Sequence, residues 1–291
     1  MEATLGAWAE GLLGETPRTE EVEDAVAIDG KTLRGRQKQG APGAHLLSAL
    51  AHRVGLTLAQ QAVDDKTNES PVALDLLHHL VLEGRIITMD ALLTQRQMAQ
   101  QIVAAKGDYV MGVKENQPQL LDDIQTVFAL PPIAGERRTT AATLDLGHGR
   151  IEQRGLQTST VLMGYSDWPG LAQVFRLERQ VILKKTGVVR EEVVAGVTSL
   201  GPERADAARV LALVRGQWQL EHQSHWGRDV TFDEDRSQVR CGHIPQVMAA
   251  LRNTVIGLMR WAGHTNIAAA CRRFAAQPRA ALHLIGIALE N

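Results

Sequence analysis

Three carboxylates from distant parts of the chain have the residue type and the setting for metal-dependent chemistry. Asp29 and Asp90 each follow a short apolar run with strand character, and Glu221 shares an apolar helix face with Val214 and Trp218. An ionised carboxylate in such a setting is costly unless a cation or a hydrogen-bond donor stabilises it. Two Mg²⁺ ions about 3.5–4 Å apart, which Mn²⁺ can replace, would stabilise three clustered carboxylates and activate an attacking oxygen. The three residues therefore predict phosphodiester chemistry with two bound divalent ions.

Several cations follow Asp29 closely in the chain, namely Lys31, Arg34 and Arg36. A carboxylate beside several cations is typical of a site that holds metal and phosphate together. The alternative is an aspartate that caps a turn, with the cations solvated around it. Lys114, at the end of a later strand, leaves a similar choice between a contact to a nucleic-acid backbone and a side chain that reaches into solvent.

The first half of the chain alternates between predicted strands and helices. A strand at 25–29 is followed by a hairpin over 45–63. The remaining elements are predicted helices over 70–82, 94–105 and 118–128, which alternate with strands over 84–90 and 108–114. A hairpin followed by parallel strands and helices is the ribonuclease-H-like order. We therefore expect an α/β fold with a ribonuclease-H-like mixed sheet flanked by helices.

The second half of the chain begins with a change of pattern. Residues 131–200 carry short apolar runs separated by turn signals, which predict an inserted, mostly antiparallel β subdomain. Helical spacing returns after Pro202, continues to about Trp226, and resumes at Met248 in a helical C-terminal part. The expected organisation is an N-terminal remnant or linker at 1–24, the first part of the catalytic core at 25–130, the β-rich insertion at 131–200, the core helix with Glu221 at 201–240, and C-terminal helices at 241–291.

Composition argues against several classes of protein. The chain has 291 residues, 44% apolar and 22% charged, as in a globular protein with a substantial core. A net charge of −2 gives no general basic field, so any nucleic-acid contact must come from local clusters of cations. The acidic run Asp233-Glu-Asp235 is expected to form a solvated loop. With two cysteines, no secretory leader and no apolar run of membrane-spanning length, we expect a cytoplasmic protein without membrane contact.

Several short motifs occur in an order that is typical of one family. In chain order they are Ala27-Ile-Asp29-Gly-Lys31, Ile87-Thr-Met-Asp90-Ala-Leu92, Val113-Lys-Glu-Asn-Gln117, Gly147-His-Gly-Arg150-Ile-Glu152, Trp218-Gln-Leu-Glu221, and His225-Trp226 with Asp229-Val-Thr-Phe-Asp-Glu-Asp235. Each motif is weak alone, but together they extend over nearly the whole chain. With them the chain resembles the DDE-type insertion-sequence transposases, in their H-repeat-associated (ISAs-type) branch.

The resemblance implies a function and a set of site residues. It implies an enzyme that cuts double-stranded DNA at transposon ends with water and then joins the freed 3′-hydroxyl to target DNA, as a dimer on DNA. Asp29, Asp90 and Glu221 would be both the catalytic residues and the metal ligands. The expected DNA contacts are Lys31, Arg34, Arg36, Lys114, Arg150 and Arg228.

Departures from the family pattern leave two other functions open. Related transposases carry Tyr, Arg, Glu and Lys at a fixed spacing that this chain fills with Val214, Gln217, Glu221 and Arg228, so only the acid and the final cation match. Only 28 residues precede Asp29, and the helical region that usually comes first in the family is expected to be missing. The alternatives are a non-catalytic DNA-binding remnant of a transposase, and a nuclease on the same fold that cleaves without joining.

Overall fold

The secondary structure alternates between strands and helices in the first half and is helical at the end. The computed structural model describes residues 2–15, 25–33, 44–63, 69–147, 149–239 and 241–287, with the backbone alone for 44 and 221–225. The strands are β1 (Ala25–Leu33), β2 (Ala44–Ala51), β3 (Thr57–Val63), β4 (Ile86–Met89), β5 (Asp108–Val113), β6 (Arg138–Gly147), β7 (Arg150–Ser159), β8 (Gln173–Leu183) and β9 (Val189–Thr198). The helices are α1 (Glu2–Glu15), α2 (Glu69–His78), α3 (Arg96–Ala104), α4 (Pro118–Ala129), α5 (Ala207–Trp226), α6 (Ile244–Trp261), α7 (Ile267–Ala276) and α8 (Pro278–Leu284).

The described strands form a mixed sheet in the order β3-β2-β1-β4-β5-β9-β8-β7-β6. β1 pairs with β4 and β4 with β5 in parallel, whereas β2 and β3 form an antiparallel hairpin. The hairpin is closed by residues 52–56, where Gly55 has a φ of +64°, a conformation that suits glycine. The order 3-2-1-4-5 with these parallel pairings confirms the predicted ribonuclease-H-like α/β fold.

The chain divides into two compact units, and β1 contributes to both. One unit comprises Met1–Val22, Asp29–Val72 and Gln219–Asn291, and the other comprises Glu23–Ile28 and Ala73–Trp218. In the first unit, Leu33 of β1 packs in one buried cluster with Leu46 of β2 and Ala249 of α6.

The second unit has its core between the sheet and α5. Val210, Leu211 and Val214 of α5 share a buried apolar cluster with Phe175 and Leu177 of β8. The same cluster includes Ala25 of β1 and Ile86 of β4, so α5 covers both the parallel strands and the antiparallel ones. Removal of this apolar surface from water is the main favourable contribution to such packing.

The predicted β-rich insertion at 131–200 is antiparallel, as the turn signals indicated. Consecutive strands from β6 to β9 pair antiparallel. The sequence did not reveal that β9 also pairs antiparallel with β5, with Met111 opposite Val197, so that the insertion continues the central sheet. β8 is a single strand of 11 residues, and its Phe175 and Leu177 belong to the buried cluster with α5.

Helix boundaries differ from the predictions by a few residues. α2 ends at His78, whereas the apolar spacing continues to Leu82. Leu80 and Leu82 are apolar because they are buried in the connection that follows the helix. α5 begins at Ala207 rather than at Pro202. Within the residues described, no helix is both long and apolar enough to cross a lipid bilayer.

A glycine in β9 provides a test of this packing. A Cβ on Gly196 would collide with the ring of Phe175 and with the carbonyl oxygen of Met111, whereas one on Gly155 in β7 would meet no described atom within 4 Å. We expect Gly196→Ala to lower the free energy of unfolding by about 1–3 kcal/mol through overpacking. Urea denaturation of both alanine variants measures this, and an equal effect of Gly155→Ala would contradict it.

Candidate active site

Asp29 lies in β1, immediately after the four buried residues Ala25–Ile28. These four pair in parallel with β4, and the last partners are Ile28 and Met89. β1 continues beyond the predicted end at 29 as far as Leu33, and the side chain of Asp29 is half-buried. The aspartate is therefore fixed within a strand, and the alternative of an aspartate that only caps a turn does not describe its position.

Asp90 follows β4 directly and is exposed. Its Oδ1 accepts a hydrogen bond from the backbone N–H of Leu93 at 3.3 Å, and its carbonyl oxygen accepts one from the Thr94 hydroxyl at 3.0 Å. The side chain therefore caps a short 3₁₀ turn, Ala91–Leu93. One carboxylate oxygen is bound in this way, which restricts the rotation of the side chain.

The loop after Asp90 is held by the segment that follows β5. The Asn116 side chain donates to the carbonyl oxygens of Ala91 at 2.7 Å and Thr94 at 3.2 Å, and Gln117 donates to Thr94 at 3.2 Å. The carbonyl oxygen of Ala91 also accepts from the backbone N–H of Thr94 at 3.2 Å, so the two amides reinforce the short turn. The Val113–Gln117 motif thus has a structural function that the sequence analysis, which considered only Lys114, missed.

Glu221 lies in α5, and its side chain is outside the described part of the structure. One turn earlier on the same helix face, the buried Gln217 makes two hydrogen bonds. Its Nε2 donates to the carbonyl oxygen of Ile28 at 3.1 Å, and its Oε1 accepts from the hydroxyl of Thr88. Gln217 therefore connects α5 to β1 and β4. Its partners are Ile28, the residue before Asp29, and Thr88, two residues before Asp90.

Two of the predicted DNA-contacting cations are buried in ion pairs. Lys31 Nζ lies 2.5 Å from Asp229 Oδ1, and the Lys31 side chain is 9% exposed. Arg228 is 2% exposed and pairs with Glu234 at 2.7 Å. Lys31 therefore does not lie in a solvated turn, and neither cation presents a free charge to solvent.

The acidic run at 233–235 is not wholly solvated, because Glu234 is only 4% exposed. Its second carboxylate oxygen lies 3.1 Å from Arg252 of α6, so two arginines balance its charge. A buried carboxylate requires such partners. The expectation of a solvated acidic loop is therefore wrong for this residue.

The remaining predicted cations differ in how far the structure describes them. Lys114 follows β5 and is exposed, as is Arg150 at the start of β7. Arg34 and Arg36 lie outside the described residues.

The buried Glu152 in β7 is the centre of a network of arginines. Its Oε1 lies 2.5 Å from both Arg154 Nη2 and Arg179 Nε, and its Oε2 lies 3.5 Å from Arg150 Nε. The guanidinium of Arg179 also lies 5.5 Å from the ring centroid of Trp218 in α5, within the range of a cation–π interaction. The network thus connects the inserted strands to the helix turn that precedes Glu221.

Burial of Glu152 would by itself raise its pKa. The hydrogen bond from Arg179 and the charges of Arg154, Arg179 and Arg150 outweigh that effect and lower the pKa of this carboxyl below its ordinary value. Glu152 is therefore ionised at neutral pH, and arginines within the fold balance its charge.

Among the described side chains, no three histidine, cysteine, aspartate or glutamate residues form a group that could hold a metal ion. The side chain of Glu221 lies outside the described residues, so this absence does not extend to it. The metal set predicted from the sequence, Asp29, Asp90 and Glu221, stays a prediction.

Comparison with known families decides the relationship. The sequence model of the transposase DDE domain family matches residues 20–258, which is most of the chain. The chain belongs to the transposase DDE domain family. This confirms the resemblance on which the residue assignments rest.

Individual relatives of this DDE domain agree with the family. YncI of Escherichia coli O157:H7, which carries a provisional transposase name, is 30% identical over 246 residues, or 81% of this chain and 62% of YncI. YhhI of Escherichia coli K12, with a provisional H repeat-associated transposase name, is 29% identical over 245 residues, or 81% of this chain and 64% of YhhI. The chain thus spans somewhat less than two thirds of the length of these relatives.

A solved structure also resembles this DDE domain in outline. The piggyBac transposase in a synaptic complex with hairpin DNA matches 85% of this chain and 48% of its own, with 11% identity and a TM-score of 0.47. This similarity is too low to carry an argument about the site.

The Glu152 network predicts a pH-dependent contribution to stability. We expect Glu152→Gln to lower the free energy of unfolding at pH 7 by about 3–5 kcal/mol, because it leaves buried arginine charge unbalanced. Since the folded-state pKa is lowered, this contribution is complete above the unfolded pKa of about 4.3 and is lost as pH falls below it. Urea denaturation of the variant and the parent protein at pH values from 7 into the acid range measures whether their free energies of unfolding converge. Glu178→Gln is the control, because Glu178 forms an exposed pair with Arg176 and should contribute under about 1 kcal/mol.

The buried pair of Arg228 and Glu234 leads to a second expectation. Arg228→Met should cost about 3–5 kcal/mol of unfolding free energy, since Glu234 would keep only one of its two arginines. Arg236→Met removes an exposed partner of Asp233 and should cost less than about 1 kcal/mol. Equal denaturation midpoints of the two variants would show that Arg228 has no such structural function.

Proposed function

We propose that this protein is a DNA transposase that cleaves insertion-sequence ends and transfers the freed strand to target DNA, with Asp29, Asp90 and Glu221 as the ligands of two Mg²⁺ ions. Membership in the transposase DDE domain family is the observation that carries the proposal. Within it, segments 25–130 and 201–240 form the catalytic core, 131–200 the β-rich insertion, 1–24 a leading segment and 241–291 the C-terminal helices.

The pairing of β1 with β4 supports the assignment of the two aspartates. Ala27 is the parallel partner of Thr88, and Ile28 that of Met89. Because side chains alternate along a strand, Asp29 and Asp90 continue the rows of Ala27 and Thr88 on the same face. Two carboxylates that continue neighbouring parallel strands are a suitable start for an all-oxygen site for Mg²⁺.

The direction of α5 supports the assignment of Glu221. Early in the strands, Ala25 and Ile86 share a cluster with residues 210–214 of α5. Two residues further along β4, Thr88 is bonded to Gln217. Helix and strands therefore advance in the same direction, and Glu221, four residues after Gln217, continues on the same helix face toward the strand ends.

The proposed chemistry assigns separate functions to the ions and to the chain. When bound, two divalent ions supply an activated oxygen nucleophile and stabilise the leaving oxygen of the phosphodiester. The chain orients the carboxylates that would hold them: the backbone N–H of Leu93 fixes one oxygen of Asp90, and Asn116 fixes the loop after it.

Four of the six cations named from the sequence stay in the proposed set of DNA contacts. We include Lys114 and Arg150, which are exposed, together with Arg34 and Arg36. Lys31 and Arg228 are not included, because both are buried in ion pairs with Asp229 and Glu234, whereas Arg150 stays exposed beside Glu152. Since strand transfer requires two transposon ends to be held together, the proposed active form is a dimer on double-stranded DNA, in the cytoplasm.

The test uses the DNA that flanks the coding region, including any terminal inverted repeats, in a nicking and strand-transfer assay with Mg²⁺ or Mn²⁺. Asp29→Ala, Asp90→Ala and Glu221→Ala should each reduce cleavage to background, because each removes a ligand of the metal pair. Joined products identify a transposase, and broken products alone would favour the nuclease alternative.

The matched control is Asp167→Ala. Asp167 is an exposed carboxylate that pairs with Arg96 on the protein surface, and its loss should leave cleavage unchanged. Undiminished cleavage in any of the three active-site variants would refute the residue assignment. Metal-independent DNA binding without cleavage would instead support the non-catalytic remnant.

A further inference from the structure

Gln217 is the one polar side chain of α5, among those described, that bonds to both β1 and β4. It is 7% exposed, and its partner Thr88 is 1% exposed. Its amide donates to the carbonyl oxygen of Ile28 at 3.1 Å and accepts from the Thr88 hydroxyl. Both groups of the amide are thus satisfied, in a position where an apolar side chain would avoid the cost of burying polar atoms.

Gln217 and its two hydrogen-bond partners are each close in sequence to one of the three proposed metal ligands. Ile28 immediately precedes Asp29, Thr88 lies two residues before Asp90, and Gln217 lies four residues before Glu221. Two residues along a strand return to the same face, and four residues along a helix also return to the same face. The bridge therefore fixes β4 and α5 one structural repeat before their carboxylates, and it fixes β1 at the residue that immediately precedes Asp29.

The packing around the bridge does not set this alignment by itself. Apolar contacts between α5 and the sheet are non-directional and tolerate small shifts of the helix along its axis. Hydrogen bonds to a backbone carbonyl on one strand and to a hydroxyl on the next have narrow limits of distance and angle. A shift of α5 along its axis would break at least one of them.

We propose that Gln217 and Thr88 are positioning residues, which set the axial alignment of α5 against β1 and β4 so that Glu221 meets the two aspartates at the proposed metal pair. This inference rests on the proposed function. Gln217 touches neither metal nor DNA in this arrangement, and it acts through the segments that carry the ligands.

The chain offers a matched control for a purely structural glutamine. Gln173 in β8 is 1% exposed, and its amide donates to the carbonyl oxygens of Leu200 and Ala205 at 2.8 Å each. It belongs to the same unit as Gln217 but bonds to none of the three segments that carry the carboxylates. Gln217→Leu and Gln173→Leu therefore make the same chemical change at two buried positions.

The experiment measures Mn²⁺ binding to the full chain by electron spin resonance of the free ion, together with thermal unfolding and single-turnover nicking of end DNA. Both leucine variants should lower the Tm. Gln217→Leu should weaken Mn²⁺ binding and slow nicking by about 10- to 100-fold, the range known for groups that orient metal ligands. Gln173→Leu should leave the Mn²⁺ dissociation constant unchanged. Equal Mn²⁺ affinities in the two variants would overturn the inference.

A second pair of variants applies if Gln217→Leu does not fold. Thr88→Val keeps the β-branched shape and removes only the hydroxyl bonded to Gln217. Thr198→Val does the same at a buried hydroxyl that donates to the carbonyl oxygen of Tyr109 at 2.7 Å. Weakened Mn²⁺ binding in Thr88→Val, with parental binding in Thr198→Val and Thr88→Ser, supports the inference. Parental binding in Thr88→Val overturns it.

The parent protein and Asp29→Ala separate this inference from the function on which it rests. Mn²⁺ binding that is lost in Asp29→Ala establishes the metal site before any positioning variant is compared. If the parent binds no Mn²⁺ through Asp29, the proposed function and the inference fail together. If it does bind, and Gln217→Leu behaves like Gln173→Leu, the inference alone fails.

Discussion

The parallel pairing of β1 with β4 is the constraint on which the candidate site depends. The register that pairs Ile28 with Met89 makes Asp29 and Asp90 the next residues along two neighbouring strands. A shift of one residue would turn one of the aspartates to the opposite face of the sheet. The buried residues of the two strands make such a shift costly, because every side chain in the paired stretch, from Ala25 to Ile28 and from Ile86 to Met89, is almost wholly buried.

The inserted strands contribute to the same arrangement through their contacts with α5. Since β9 pairs with β5, the insertion extends the sheet beneath the helix instead of forming a separate layer. Its buried Glu152 binds Arg179, which in turn lies against the ring of Trp218. Gln217 and Trp218, which are consecutive residues, therefore connect α5 to the parallel strands and to the antiparallel extension. Both connections come just before the turn that carries Glu221.

Several charges in this protein are balanced within the fold. Arg154 and Arg179 balance Glu152, Arg228 balances Glu234, and Lys31 is paired with Asp229. A net charge of −2 gives no general attraction to DNA, so any DNA contact depends on local groups of the cations that stay exposed. Residue type alone could not distinguish the two groups, because an arginine in a buried pair and an arginine on the surface have the same sequence signature.

The sequence by itself determined the alternation of strands and helices, the family, and the order of the three carboxylates. These follow from local periodicity and from motifs that are each a few residues long. The tertiary structure decided the remainder: that the insertion joins the central sheet, that Lys31 and Arg228 are buried, and that Gln217 bonds to Ile28 and Thr88. Except for Arg228 and Glu234, which are six residues apart, the partners in these contacts lie about 90 to 200 residues apart in the chain. No local pattern records such pairings, because they depend on which surfaces the folded chain brings together.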